Sequence, residues 1–427
     1  MAEPEQGDAA AFIRDAPLRV VLEIVRRLPA RSVFSFLKVC KAWRDTTSHP
    51  IFLVHLHKLQ PRQPLICFDR LARPNRYVQV RDYCVEALNL RSNELRSVFR
   101  FTDDAYRVRR YDEGDEAAPI VAPFVFYRDY EVEEYDDTET KPQLSVHGSL
   151  DGLLLVSFLN ASYVCNPAMR LAVSLPNLNR YNLVGFYEHG SSREYRVLLY
   201  TLNADERPPT CYYVLKVGDQ MARSIGYPIS PAAADMGLYN GLIPAKFSPP
   251  VQLHTNLHWP PQARQQYHIL VFDTQNELFS WMRPPVIGRD MSLLEMEGKL
   301  AMSVSVMNGA TLDLCCLQDY QNRIWVLMFR IQLATLARHL NVDYQYWSAS
   351  VVSPEGDVLI LIPHVLIHCD RNGRLLHLFG IPDRAASVRH ALKESLLTHA
   401  IFLAPEDELP FSSGLTALVS WPAVGFQ

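Results

Sequence analysis

The sequence has no apolar run long enough to cross a membrane and no apolar segment at its N-terminus. The first eleven residues, Met1 to Ala11, are acidic and small, which is not the pattern of a secretory signal peptide. Residues 358–367 are the nearest to a membrane span, but Pro363 and His364 interrupt them, and a span needs roughly 18 apolar residues. We therefore expect an intracellular protein, cytoplasmic or nuclear, with no membrane partner and with its 8 cysteines as reduced thiols.

The common catalytic and metal-binding motifs are also missing. There is no G-x-S-x-G turn, no phosphate-binding loop and no H-E-x-x-H zinc motif. Cys315 and Cys316 are adjacent, so they lack the C-x-x-C spacing of a zinc site. Two histidine pairs have the four-residue spacing that binds zinc on a helix: His254 with His258, and His364 with His368. Both pairs lie among predicted strands and prolines, so we predict no catalytic residue, no metal site and no cofactor.

The charge of the chain is unevenly distributed. Residues 14–62 contain ten Lys or Arg and three Asp or Glu, whereas the whole chain of 427 residues has a net charge of −4. A basic segment of this kind can bind nucleic acid. Its basic residues, however, are interleaved with apolar ones, which better suits a protein groove with an acidic rim. We therefore expect a protein partner for this segment and no nucleic acid.

Residues 17–52 show a series of short helical periods. The first has an apolar face, because its apolar residues recur at spacings of one, three and four: Val20, Val21, Ile24, Val25 and Leu28. Pro17 suits the first turn of that helix and Pro29 ends it. Apolar residues continue through a second and a third period. About forty residues bury too little surface to be stable alone, so this module is either a helical cap on a larger domain or a docking module with an exposed apolar stripe.

The order of residues in this module resembles an F-box. The resemblance is carried by Leu28-Pro29, by Val39-Cys40-Lys41-x-Trp43-Arg44 and by Pro50-x-Phe52, with Ala16 where the family usually has Leu. It implies that the module binds the Skp adaptor, which bridges to a cullin ubiquitin ligase. The residues expected to bind the adaptor are Pro17, Leu18, Val21, Ile24, Val25, Leu28, Pro29, Val33, Leu37, Val39, Cys40 and Trp43.

From Leu65 onward, short β-branched or aromatic runs alternate with turn residues, as in a series of hairpins. Successive hairpin turns are 53, 54, 46 and 51 residues apart, at Asn166, Asp219, Asp273, Asp319 and Asp370. A period near 50 with two hairpin strands per unit predicts the four-stranded blade of a β-propeller. With the hairpin at Asn93 the sequence predicts six blades.

Other short segments complete this prediction. Short apolar runs predict inner blade strands at residues 152–156, 257–259, 298–300 and 356–359. Three of these runs begin with a glycine, which allows positive φ in the turn before the strand. Helical spacing predicts helices at 333–340 and 388–396, and residues 401–403 are expected to close the ring as a strand. The acidic residues 129–139 suit a solvated loop insertion. Four tryptophans are expected to pack between blades: Trp259, Trp281, Trp325 and Trp347.

The second part of the chain resembles the F-box-associated domain of plant proteins. The motif is Asn166-Pro167-Ala168-x-Arg170 followed by Leu175-Pro176, with Met169 where Thr is usual. A later match runs from Leu312 to Leu327 and departs at Cys315-Cys316, where Trp-Val is common. The resemblance covers roughly residues 145–380 and implies a kelch-like propeller.

The sequence therefore predicts a mainly β fold with an N-terminal α module: a helical F-box followed by a six-bladed kelch-like β-propeller. We expect a disordered leader at 1–13, an F-box at 14–60 and a substrate-recognition domain at 61–427. The resemblance implies a non-catalytic substrate receptor of a Skp–cullin–F-box ubiquitin ligase, whose protein substrate the sequence does not identify. Two alternatives stay open: a propeller enzyme with a helical appendage, and an adaptor-bound scaffold that ubiquitinates nothing.

Overall fold

The computed structural model describes residues 23–25, 28–36, 41, 44–45, 48–75, 78–103, 144–158, 161–202, 210–226, 249–262, 267–340, 348–362, 364–381, 386–402 and 419–420. The predicted leader at 1–13, the acidic insertion at 129–139 and Trp347 lie outside these residues. Among the described residues before the first strand are the helices α1 (Ala30–Phe36) and α2 (Pro50–Leu59), and residues 23–25, 41 and 44–45 are also helical. No helix of the described residues is long and apolar enough to cross a membrane.

The rest of the described chain forms six sheets. The first contains β1 (Arg62–Asn75), β2 (Val78–Asn89) and β3 (Glu94–Asp103). The second contains β4 (Leu144–Leu150), β5 (Leu153–Phe158), β6 (Ala161–Asn166) and β7 (Leu171–Ser174). The third contains β8 (Asn182–His189), β9 (Glu194–Leu202), β10 (Thr210–Lys216) and β11 (Arg223–Gly226).

Three more sheets follow in chain order. The fourth contains β12 (Val251–Leu253), β13 (Asn256–Trp259), β14 (Ile269–Asp273) and β15 (Leu278–Met282). The fifth contains β16 (Arg289–Met296), β17 (Lys299–Val306), β18 (Thr311–Asp319) and β19 (Ile324–Gln332), and helix α3 (Ala334–Leu340) follows it. The sixth contains β20 (Ser348–Val351), β21 (Val358–Ile362), β22 (Val365–Cys369) and β23 (Leu375–Gly380). Strands β24 (Ala386–Lys393) and β25 (Val419–Ser420) then return to the first sheet.

The ring is closed because the N-terminal and C-terminal strands of the propeller pair in the same sheet. β24 pairs antiparallel with β1, with Arg62 opposite Lys393, so the first sheet has the order β24-β1-β2-β3-β25. The prediction of a helix at 388–396 is therefore wrong, because residues 388–393 are strand and 394–396 are not helical. Val388 and Leu392 are four residues apart, a spacing that fits one helical turn and also one face of a strand, and pairing with β1 selects the strand. The predicted closing strand at 401–403 is also wrong, because Ala400–Phe402 is a short 3₁₀ helix.

Each sheet is one blade, and the sequence-predicted strands occupy its second to fourth positions. The segments predicted as inner strands lie in β5, β13, β17 and β21, which are second in order in blades 2, 4, 5 and 6. The innermost strands of these blades are β4, β12, β16 and β20, which the hairpin pattern did not reveal. The glycines that precede the second strands do adopt positive φ, +84° at Gly152 and +92° at Gly356. The predicted six-bladed, mainly β fold is confirmed.

The core of the propeller lies between blades rather than inside one. Six apolar clusters each join two neighbouring blades. In β14, Leu270 and Phe272 face blade 3 while Ile269 and Val271 face blade 5, because side chains alternate along a strand. Trp259 and Trp281 are buried between blades 3 and 4, and Trp325 packs between blades 4 and 5. The predicted packing role of these three tryptophans is confirmed.

The predicted hairpin turns all connect the third strand of a blade to the fourth. In five of them an Asx side chain at the end of the third strand accepts hydrogen bonds from backbone N–H groups of the turn, as Asp273 does from Gln275 and Asn276 at 2.8 and 3.2 Å. The other four are Asn89, Asn166, Asp319 and Asp370. The predicted helix at 333–340 is also confirmed as α3, whose Leu336 packs between blades 5 and 6.

Candidate functional site

The helical module shares an apolar cluster with the propeller. Val25, Ala30, Val33 and Leu56 are buried in this cluster together with Ala168 and Leu396. Ala168 lies in the turn between β6 and β7, which is the Asn-Pro-Ala-x-Arg motif singled out in the sequence. Leu396 follows β24, the strand that closes the ring. The module is therefore packed onto one edge of the ring, at the junction of blades 1 and 2; we call this cluster the junction cluster.

A buried glutamine connects the two helices of the module. Gln60 directly follows α2, and its side-chain Oε1 accepts a hydrogen bond from the N–H of Ala30 at 3.1 Å. Its Nε2 donates to the carbonyl oxygen of Leu28, also at 3.1 Å. One amide thus satisfies a donor at the start of α1 and an acceptor in the preceding turn, two groups that would otherwise be buried without partners. The sequence carries no pattern from which this contact could be recognised.

The segment at residues 394–402 holds the module and the propeller together. Its Ser395 carbonyl accepts a hydrogen bond from Nδ2 of Asn166 at 3.1 Å, and its His399 Nδ1 lies 2.9 Å from the Tyr195 hydroxyl of blade 3. On the module side, Nδ1 of His57 lies 3.1 Å from the carbonyl oxygen of Glu394. A Cβ at Gly152 would overlap Ser395, so only glycine admits this close approach.

Buried charge at the junction is compensated. The carboxylate of Glu394 pairs with the guanidinium of Arg96, which also donates to Oε1 of Gln63 at 3.2 Å. Burial lowers the pKa of Arg31, and the nearby Arg96 lowers it further while Glu394 acts in the opposite direction. Burial likewise lowers the pKa of His57. The neutral imidazole is therefore the favoured form of His57 where α2 meets the segment at 394–402.

The outer side of the module exposes apolar side chains. Ile24 is 50% exposed and Ile51 75%, although both belong to helices whose other faces are buried. α2 divides into two faces, since Leu53 and Leu56 contact the junction cluster while Ile51 and Val54 face solvent. Exposed apolar residues on a small, otherwise basic module indicate a surface for a partner. The sequence prediction did not include Ile51 and Val54 among the partner-binding residues. They lie three residues apart in a segment that begins with Pro50, and this spacing is typical of one helix face.

Five of the twelve residues predicted to bind an adaptor lie in the described part of the chain. Ile24 and Pro29 are exposed and Leu28 is half-buried, whereas Val25 and Val33 are fully buried in the junction cluster. These two valines pack on the protein's own propeller, as in a helical cap, and their role in adaptor binding stays a prediction. The other seven residues lie outside the described ranges: Pro17, Leu18, Val21, Leu37, Val39, Cys40 and Trp43.

An ion pair spans non-adjacent blades on the side of the ring where the module attaches. Nη2 of Arg62, at the start of β1, lies 2.8 Å from Oε2 of Glu295 at the end of β16. These strands belong to blades 1 and 5, which blade 6 separates. Arg62 lies opposite Lys393 of the innermost strand β24, so the pair joins two blades that are not neighbours.

The histidines weighed as zinc ligands make other contacts. His258 is fully buried, with Nε2 2.7 Å from the hydroxyl of Tyr320 and Nδ1 3.2 Å from the carbonyl oxygen of Val251. His368 lies 2.6 Å from Oδ1 of Asn93 and 3.3 Å from Oδ1 of Asp357. Over the described ranges, no three His, Cys, Asp or Glu side chains are grouped as metal ligands. Both histidines connect neighbouring blades instead.

Comparison with known families agrees with this architecture. Residues 17–55 match the family described as F-box domain, and residues 127–371 match the F-box associated beta propeller domain. Because the second match spans more than half of the chain, the protein belongs to the F-box-associated propeller family; it is a plant-type F-box protein. An F-box protein of Arabidopsis thaliana is 30% identical over 90 residues, which is 19% of this chain and 24% of that protein. The match thus covers about a quarter of the relative's length.

Solved structures resemble the chain only loosely. TolB from Acinetobacter baumannii superposes with a TM-score of 0.37 at 11% identity, over 79% of this chain and 68% of that one. An exo-β-1,3-galactanase from Clostridium thermocellum gives a TM-score of 0.26 at 9% identity, over 56% and 55% of the two chains. Superpositions at this level carry no argument about function.

Proposed function

We propose that this protein is the substrate-receptor subunit of a Skp–cullin–F-box ubiquitin ligase. The F-box binds a Skp-type adaptor and, through it, a cullin, while the propeller holds a protein substrate. The protein itself makes and breaks no covalent bond. Its contribution is proximity, because a substrate held on the propeller meets the ubiquitin-transferring subunits at a raised effective concentration.

The observation that carries this proposal is the shared core of the F-box and the propeller. A flexible linker between the F-box and the propeller would leave the orientation of the substrate relative to the ligase undefined. Here the junction cluster and the contact of His57 with the Glu394 carbonyl join the two parts. An adaptor bound to the outer side of the F-box therefore also orients the propeller.

Adaptor binding is tested at Ile24. Ile24→Asp places a charge on the exposed side of the F-box, and we expect co-purification with a Skp-type adaptor to weaken by at least about tenfold, since a fully buried Ile contributes roughly 1.5–3 kcal/mol. Ile287→Asp is the matched control, because Ile287 is similarly exposed, at 56%, on the propeller. Equal adaptor binding by both variants would remove Ile24 from the adaptor surface. Ile51→Asp tests the second exposed position in the same way.

Ligase activity needs a separate experiment. The complex of this protein with adaptor and cullin is reconstituted, and proteins that proximity labelling identifies around the propeller are offered as substrates. Ubiquitination that depends on Ile24 supports the receptor role. Labelled partners that bind but are never ubiquitinated would favour the scaffold alternative. Turnover of a small molecule by the purified chain would favour the propeller enzyme.

A further inference from the structure

Lysine is scarce in this chain, although cationic side chains are not. The sequence has 34 arginines and 8 lysines, and from Arg62 onward it has 28 arginines and 5 lysines. Lysine is ordinarily among the commonest residues of soluble proteins. Both side chains carry one positive charge, so surface charge alone does not favour either of them. Their chemistry differs, because the lysine amine is the group to which ubiquitin is attached.

Some arginines have structural roles that lysine could not fill. The guanidinium of Arg330 binds Asp313 through two contacts of 2.8 and 2.7 Å. That of Arg196 contacts Glu194 and Glu277, both at 2.9 Å. Such paired contacts use the planar fork of the guanidinium, which the single ammonium of lysine cannot reproduce. Ion pairing therefore explains the choice of arginine at these positions.

At four other positions nothing in the fold requires a guanidinium. These side chains are exposed, and within the described part of the chain none of them forms an ion pair or a side-chain hydrogen bond. They lie in blades 1, 5 and 6 and in the connection between blades 4 and 5: Arg91, Arg283, Arg323 and Arg374. A lysine would keep the charge at each position, so the folded structure does not explain why each is arginine.

Two of the lysines in the described part of the propeller are hindered as acceptors. Nζ of Lys216 lies 2.8 Å from Oε1 of Glu194, and this contact raises the pKa of the lysine, which lowers the fraction of neutral amine. Burial lowers the pKa of Lys393, which favours the neutral amine, but the same burial limits the approach of a protein-sized donor. Lys299 is exposed, and its Nζ donates to Oε1 of the neutral Gln318 at 2.5 Å. Of these three lysines, Lys299 is therefore the accessible one.

The other lysines lie in the F-box or outside the described residues. Lys58 is exposed on α2, four residues after Val54 and seven after Ile51, on the face that the receptor function gives to the adaptor. Lys41 is exposed in the F-box. The side chains of the remaining three are not among the described ones: Lys38, Lys141 and Lys246. Few lysines of this chain are thus both exposed and clear of a proposed partner.

We propose that the scarcity of lysine makes this protein a poor acceptor for the ubiquitin that its own ligase transfers, so that the receptor persists while its substrate is modified. The proposal rests on the receptor function. A receptor is held at the same raised effective concentration as its substrate, so each of its own exposed lysines competes for the transfer. Arginine keeps the positive charge of the surface without adding a competitor.

The transfer step distinguishes the two side chains. A neutral lysine amine attacks the carbonyl carbon of the ubiquitin thioester, a C–N bond forms, and the C–S bond breaks to release a thiolate. Starting from the ammonium form of lysine, one proton passes to the thiolate and one to solvent. A guanidinium, whose pKa lies above about 12, keeps its proton at neutral pH and offers no free amine. Replacing Arg with Lys therefore adds an acceptor without changing the charge.

The experiment adds lysines to the full-length protein. The variant combines Arg91→Lys, Arg283→Lys, Arg323→Lys and Arg374→Lys, and is compared with the parent in the reconstituted ligase with ubiquitin and its activating and conjugating enzymes, without substrate. The substitutions bring the lysines from residue 62 onward from five to nine. We expect the ubiquitin attached to the receptor to increase at least about twofold, and mass spectrometry to find it on the introduced lysines.

A second variant is the matched control. It has Gln at the same four positions, which removes the charges and adds no amine. Its self-modification is expected to equal that of the parent. Thermal unfolding of all three proteins shows whether the ring stays folded. A rise in both variants would assign the effect to lost arginine contacts and would overturn the proposal.

Two further outcomes would also overturn it. One is a parent that is modified as heavily as the lysine variant, and the other is a lysine variant whose introduced lysines carry no ubiquitin. Ile24→Asp in the lysine variant is expected to lower its modification as far as it lowers adaptor binding. If the chain enters the complex and the introduced lysines stay unmodified, this inference fails and the receptor function stands. If the chain binds no adaptor, both fail.

Discussion

The propeller and the F-box both depend on small apolar clusters, but only the propeller repeats them. Six clusters follow one another around the ring, and most strands contribute side chains to two of them. The described part of the F-box contributes to the junction cluster, and two of the buried members of that cluster, Ala168 and Leu396, come from the propeller. A module of about forty residues cannot bury enough surface alone. The propeller supplies part of that surface, and the exposed face that is left over is the one available to an adaptor.

The largest expected loss of stability follows from a substitution in the core of the propeller. Phe272 is fully buried between blades 3 and 4, with its ring centroid 4.9 Å from that of Phe279. Phe272→Ala should lower the free energy of unfolding by about 3–5 kcal/mol. Chemical denaturation followed by tryptophan fluorescence measures this loss. A loss below about 1 kcal/mol would mean that the ring does not depend on packing between blades.

A smaller and more local effect is expected at the junction. Leu56→Ala should cost about 2–5 kcal/mol of local stability, because Leu56 is only 1% exposed, and should loosen the F-box while the propeller stays folded. Limited proteolysis and hydrogen exchange over residues 30–60 report on the F-box, and thermal unfolding reports on the ring. Leu59→Ala, on the same helix but 48% exposed, is the control. If Leu56→Ala unfolds the ring as well, the two parts form one cooperative unit.

The smallest effect is a dependence of propeller stability on pH. Burial lowers the pKa of His258 to about 4, and its neutral ring accepts a hydrogen bond from Tyr320. In the unfolded chain the imidazole has an ordinary pKa near 6.5 and binds a proton first. Stability should therefore be constant above about pH 7 and fall as the pH is lowered from about 6.5 to 4, by on the order of 1.4 kcal/mol per unit for this group.

His258→Gln provides the comparison for this pH effect. The amide keeps a polar side chain at the site but does not titrate. Thermal unfolding measured between pH 4 and 7 should be less pH-dependent in the variant than in the parent, even if the variant is less stable throughout. Parallel profiles would show that other groups cause the loss of stability in acid.

Much of the propeller could be predicted from the sequence because its signals are local. An Asx residue at the end of a third strand and a run of apolar residues on either side define most of the hairpins, and the turns at Asp273, Asp319 and Asp370 were placed correctly. The innermost strands were missed because the turns that follow them do not share one sequence pattern. In blade 5, for example, the turn between β16 and β17 is Glu297-Gly298. Residues 388–393 of β24 were predicted as a helix because apolar residues four positions apart, such as Val388 and Leu392, fit both the 3.6-residue period of a helix and the two-residue period of a strand.

The sequence by itself determined the two parts of this protein, since helical spacing and hairpin repeats depend only on residues close together in the chain. It also set the positive charge of the F-box. Only the tertiary structure decided that Val25 and Val33 pack against the protein's own propeller and that β24 joins β1. These features depend on contacts between residues hundreds of positions apart, which no local period encodes.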